Sequence, residues 1–137
     1  MVITSNIVDN AATGIAVTNV AQGGDRAIIQ GNLVRNLFFR KVALFHGTGI
    51  SIDADAVVKG NSVENAPGFG ILVGPAGDVS VSENQIRNIH IGIGVSVEIA
   101  GTARLAGNTI SNAQNGAVRA MRALPRSGRT LPSTPTL

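Results

Sequence analysis

The side chains able to do acid–base work are few in this 137-residue chain: eight Asp and Glu, two His and no Cys. A pair of carboxylates can serve as acid and base on a glycosidic bond, and their separation sets the stereochemical outcome. Asp53 and Glu98 are the pair with a defensible geometry. Each stands four residues after a Gly that opens an alternating apolar segment, Gly49 and Gly94, and Gly74 holds the same position in the segment between. If the segments stack as strands, two strand spacings separate the carboxylates by about 9.6 Å, near the upper end for inverting glycosidases. Ser51 and Ser96 would then line a shallow groove. Registering the fourth segment on Gly92 would move Glu98 out of the column. The competing reading is that both carboxylates are solvated outward residues of a strand.

The remaining candidates are weaker. Asp53 and Asp55 lie two apart and share a strand face, but two carboxylates without further oxygen ligands make a poor Ca2+ site. No metal or cofactor is expected. The string from His46 to Ser51, His-Gly-Thr-Gly-Ile-Ser, has a superficial likeness to the Gly-His-Gly segment of polygalacturonases, but the paired Asp motif is absent. His90, between Ile89 and Ile91, suits a structural role near a corner. The lack of Trp and Tyr weakens sugar stacking.

The elements that must position these groups are read from a repeat. A first Asn recurs at Asn6, Asn32, Asn61, Asn84 and Asn108, at intervals of 26, 29, 23 and 24 residues. A second follows four residues later each time, at Asn10, Asn36, Asn65, Asn88 and Asn112. Between them stand Val8, Val34, Val63, Ile86 and Ile110. Three residues before the first Asn stand Ile3, Ile29, Val58, Val81 and Leu105, and two before those Met1, Ala27, Ala56, Val79 and Ala103. These aliphatic columns obey a period of two, the signature of strands with one inward face.

The polar columns predict stacking as well. Just before the second Asn the residues are Asp9, Arg35, Glu64, Arg87 and Ser111, so the charge alternates between successive repeats about 4.8 Å apart. The Asn columns suit ladders of buried amides at the corners, each pairing above and below. Gly14, Gly49, Gly70, Gly94 and Gly116 open the last strand of each unit and are read as corners with positive φ. The expected fold is all-β: a right-handed parallel β-helix of about five coils over residues 1–118.

Two insertions break the spacing. Residues 21–26 have the composition of a turn. Residues 37–46 hold three of the four Phe and suit a loop or short helix on the flank, or the wall of a groove. Residues 119–137 read as a basic, Pro-rich, disordered tail. Four of the eleven basic residues, Arg119, Arg122, Arg126 and Arg129, lie there, while all eight acidic residues precede it. The repeat body therefore holds seven basic against eight acidic residues, a net charge of −1, which is no surface for nucleic acid. No apolar run approaches a membrane span, and no cleavable signal opens the sequence. The strand edge of the first coil carries no cap, so further coils of the same protein, or self-association, are expected at that edge.

The run from Gly14 to Met121, with GIAVTN, GGDRAIIQGNLVRNLF, GTGISIDADAVVKGNSVENAP, GIGVSVEIAG and GNTISNAQNGAVRAM, resembles the C-terminal repeats of bacterial twin-arginine-translocated repetitive proteins. The resemblance implies export in folded form, to the periplasm or beyond, and a longer N-terminal part. It carries no catalytic residue. More distantly the pattern is similar to pectate lyases, polygalacturonases and phage tailspikes. Two functions follow as expectations. One is a non-catalytic scaffold or interaction module; the other is part of a polysaccharide lyase or glycoside hydrolase acting on a glycan along one outer face.

Overall fold

The computed structural model describes residues 1–18, 26–39, 47–75, 78–96 and 101–122. Every strand pairing among them is parallel. Each coil contributes one strand to a first sheet, ordered β1 (Val2–Thr4), β4 (Ala27–Gln30), β7 (Ala56–Lys59), β9 (Val79–Ser82) and β11 (Ala103–Ala106). A second sheet runs β2 (Ile7–Asp9), β5 (Leu33–Arg35), the first half of β8 (Ser62–Val73), the first half of β10 (Gln85–Ser96) and β12 (Thr109–Ala113). The later halves of β8 and β10 join β3 (Thr13–Thr18), β6 (Thr48–Asp53) and β13 (Val118–Met121) in a third. The described residues form a parallel β-helix of about five coils, as the repeat predicts.

The aliphatic columns pair in the expected register and face inward. Ile29, Val58 and Val81 stack in the first sheet, Val34, Val63 and Ile86 in the second, and Ile50, Ile71 and Ile93 in the third. All are fully or almost fully buried. Each such side chain contributes about 1.5–3 kcal/mol by leaving water, so three columns suffice for a core without large rings. The equivalent residues of the end coils, Ile3, Val8, Leu105 and Ile110, are only partly buried because a neighbour covers them on one side.

The corners differ from expectation in an instructive way. Two positions have positive φ in every coil, and of the glycines that open the last strand only Gly116 has it, at 112°, while Gly14, Gly49, Gly70 and Gly94 do not. One position is the second Asn itself: Asn10, Asn36, Asn65, Asn88 and Asn112 all have φ between 53° and 58°. The other is the residue before the first Asn: Ser5, Gly31, Gly60, Glu83 and Gly107. Asn is the residue with a side chain that best tolerates this conformation. The strand-opening glycines are required by close approach instead. A Cβ on Gly70 would lie 2.5 Å from Ile86 Cγ2 and 2.7 Å from the main-chain oxygen of Gly92 in the next coil.

The same contacts fix the register of the fourth coil. Ile71 pairs with Ile93 and Leu72 with Gly94, so Gly92, not Gly94, continues the column of Gly14, Gly49 and Gly70. Gly94 has a separate reason to lack a side chain: a Cβ there would lie 2.7 Å from the Phe69 ring. The fifth coil follows suit, with Ala117 opposite Gly92 and Val118 opposite Ile93. Arg119 pairs with Gly94 on the outward side rather than replacing a core Val.

Candidate functional site

The two Asn columns form ladders of opposite polarity. In the first, the main-chain N–H and the side-chain Nδ2 of each Asn both donate to the Oδ1 of the Asn in the following coil, from Asn6 through Asn32, Asn61 and Asn84 to Asn108, at 2.9–3.1 Å. Each Nδ2 from Asn32 to Asn108 also donates to a main-chain oxygen of the preceding coil: Ile3, Ile29, Val58 and Val81 in turn. Asn32, Asn61 and Asn84 are 2%, 1% and 0% exposed, so these bonds satisfy groups that water cannot reach. The second ladder runs the other way and is exposed. Asn112 Nδ2 donates to Asn88 Oδ1, Asn88 to Asn65, Asn65 to Asn36, and Asn36 to the Asp9 carboxylate.

Carboxylates are drawn into the same coil-to-coil bonding. Arg35 Nε donates to Asp9 at 3.0 Å, and Arg87 Nε donates to Glu64 at 2.6 Å, as the alternating charges predict. The hydrogen bond from Asn36, then that from Arg35, holds the Asp9 carboxyl below its ordinary range. Lys59 stands 3.7 Å from Glu83. A further column does not show in the composition: Asp55 Oδ1 accepts the N–H of Asp78, and Asp78 Oδ1 accepts the N–H of Thr102, each at 2.6 Å. Asp55 thus holds a corner.

Asp53 ends β6 opposite Thr18, and the next positions of its column are Gly74 and then Ser96. A Cβ on Gly74 would lie 3.0 Å from Asp53 Oδ1, so the carboxylate rests over that glycine. Because the fourth coil registers on Gly92, Glu98 falls two residues past this column in sequence. Glu98 itself lies outside the described residues, as does His46. Ser51 is half-buried in the outward row between Ala16 and Leu72, and Ser96 is buried, so the two serines do not line a common open groove. His90 is exposed, with Nε2 3.4 Å from Asn115 Nδ2.

Of the Phe-rich insertion, Leu37 is buried, Phe38 is on the margin of exposure and Phe39 is 60% exposed; residues 40–46 lie outside the described residues. Phe38 is tied to the first coil, its N–H donating to Ala11 O at 3.1 Å. On the outer face of the second sheet, Ser62, Gln85, Arg87, Thr109 and Ser111 border a shallow polar hollow. Among the described residues no three His, Asp or Glu converge as metal ligands, and no helix is long and apolar enough to cross a membrane.

Parallel coils, inward aliphatic columns and stacked corner amides define a β-helix. The chain belongs to the family described as right handed beta helix region, which matches residues 1–124. Neither the curated proteins nor the solved structures contain a match to it.

Proposed function

We propose that this chain is a non-catalytic β-helix scaffold or interaction module of an exported bacterial protein. The observation that carries the reading is the engagement of its carboxylates. Asp55 and Asp78 hold main-chain N–H groups of the next coil, Asp9 and Glu64 hold arginines, and Glu83 faces Lys59. A catalytic acid or base must reach a substrate to exchange a proton with it, whereas these five carboxylates are engaged with partners in neighbouring coils. The resemblance to twin-arginine-translocated repetitive proteins supports a periplasmic or extracellular location. The partners in this reading are further coils of the same protein, or a second chain, at the face of the first coil, where the core members Ile3 and Val8 are only partly buried.

The polar hollow beside Arg87 favours a second reading, in which the chain is part of a polysaccharide lyase or glycoside hydrolase of the pectate-lyase-like kind. A glycan would lie along one outer face of the helix, with Asp53 and Glu98 as acid and base; Asp53 ends β6 in the third sheet, whereas the hollow lies on the second. One experiment separates the two: a turnover screen with acidic and neutral glycans on the wild-type chain, Asp53→Asn and Glu98→Gln. The scaffold reading expects no turnover. Turnover that disappears in both variants would replace it with the enzyme.

A further inference from the structure

The two end faces of the helix carry matching ladder chemistry. At the first coil, the Oδ1 of Asn6 occupies the acceptor position that Asn32, Asn61, Asn84 and Asn108 fill for the coil before them. At the fifth coil, Asn108 carries the N–H and Nδ2 donors that every earlier Asn directs to the coil after it. The aliphatic columns match too, since Ile3 and Val8 at one end and Leu105 and Ile110 at the other are partly uncovered members of the same stacks. A second copy laid head to tail would continue the first two sheets. Such a contact is heterologous and does not close, so it would build a filament.

One residue breaks the match. In the strand-opening column the sequence is Gly14, Gly49, Gly70, Gly92 and then Ala117. A Cβ on each of the four glycines would collide with two groups of the following coil: the main-chain oxygen of the next member of the column, and the branched side chain two residues after the first Asn. For Gly49 these are Gly70 O and Val63; for Gly92 they are Ala117 O and Ile110. Ala117 has that Cβ, and a copy stacked on the fifth coil would bring Gly14 O and Val8 to meet it. Backbone oxygen cannot yield as a flexible side chain does, so the third sheets could not come to strand spacing.

We infer that Ala117 is a stop: its methyl group prevents a second copy of this chain from continuing the helix at the fifth coil, and so blocks open-ended assembly. Among the described residues the face of the first coil has no such obstacle, because the Gly14 column points toward the second coil. Association through that face alone gives at most a closed pair.

Sedimentation velocity over a range of concentrations tests this on the full chain. Wild type should not exceed two chains per particle, whereas Ala117→Gly should grow past two as concentration rises. Ala117→Ser, which keeps the Cβ, should behave as wild type, and adding Ile3→Lys to Ala117→Gly should stop the growth by charging the opposite face. Far-UV circular dichroism checks that each variant retains its strands. Growth of wild type or Ala117→Ser past two chains, or a folded Ala117→Gly that stays within two, would overturn the inference.

Discussion

Asn61 Oδ1 accepts two hydrogen bonds from one residue, the main-chain N–H of Asn32 at 3.0 Å and its side-chain Nδ2 at 2.9 Å. Asn61 in turn donates twice to Asn84 and once to Ile29 O. One buried amide therefore satisfies groups in three coils, and its loss strands donors and an acceptor where water cannot replace them.

Removing that amide should be costly. Asn61→Ala is expected to lower stability by about 3 kcal/mol, from several unsatisfied buried groups at about 1–3 kcal/mol each. Asn6→Ala, at the exposed end of the same ladder, should cost about 1 kcal/mol or less, since water can reach the freed groups. Urea unfolding of the two variants checks the ratio.

Two kinds of glycine should separate by magnitude. Gly60 has φ of 63° with open space around the position of a Cβ, so Gly60→Ala should cost only the backbone strain, about 1–2 kcal/mol. Gly70 is crowded by Gly92 O and Ile86, and Gly70→Ala should cost about 3 kcal/mol or prevent folding. Thermal midpoints of both variants, measured together, give the comparison.

The corner carboxylates are predicted to matter as acceptors rather than as charges. Asp78→Asn retains an oxygen for the N–H of Thr102 and should be neutral to within about 0.5 kcal/mol. Asp78→Ala should cost about 1 kcal/mol, the size of a lost capping bond. Equal losses in the two variants would contradict this role.

Asp9 gives a pH dependence of known sign. Asn36 and then Arg35 lower its folded-state pKa below the ordinary 3.8, so its contribution is full above that value and is lost as pH falls through the lower one. The stability gap between wild type and Asp9→Asn should narrow on acidification below pH 3.8. The carboxyl carbon of Asp9, followed by NMR, should titrate below 3.8 as well.

Much of this fold is legible in the sequence because stacking repeats each requirement five times. Ile29, Val58 and Val81 announce an inward column, Asp9, Arg35, Glu64 and Arg87 an outward one, and the paired Asn residues the corners. What was not legible concerns choices the pattern leaves equivalent. The segment Gly92-Ile93-Gly94-Val95 offers two glycines two residues apart, and both registers preserve the alternation. The choice turns on an irregularity in the pairing between Ile89 and Ile91, where the third coil has one residue more. The general freedom of Gly points to it for positive φ, whereas Asn65 and its column adopt that conformation while their side chains form a ladder. The Asp55–Asp78 column is hidden in the sequence because Arg26 and Thr102 break its composition, although the spacing matches that of the ladders. The Asp53–Glu98 pairing requires Gly94, not Gly92, opposite Gly70.

The register of the fourth coil is therefore the feature on which both the fold and the candidate site turn, and methyl NOEs in an Ile- and Val-labelled sample measure it directly. The stack described here predicts contacts from Ile71 to Ile50 on one side and to Ile93 on the other. Contacts from Ile71 to Val95 in place of Ile93 would put Gly94 opposite Gly70, return Glu98 to the column of Asp53 and contradict the account.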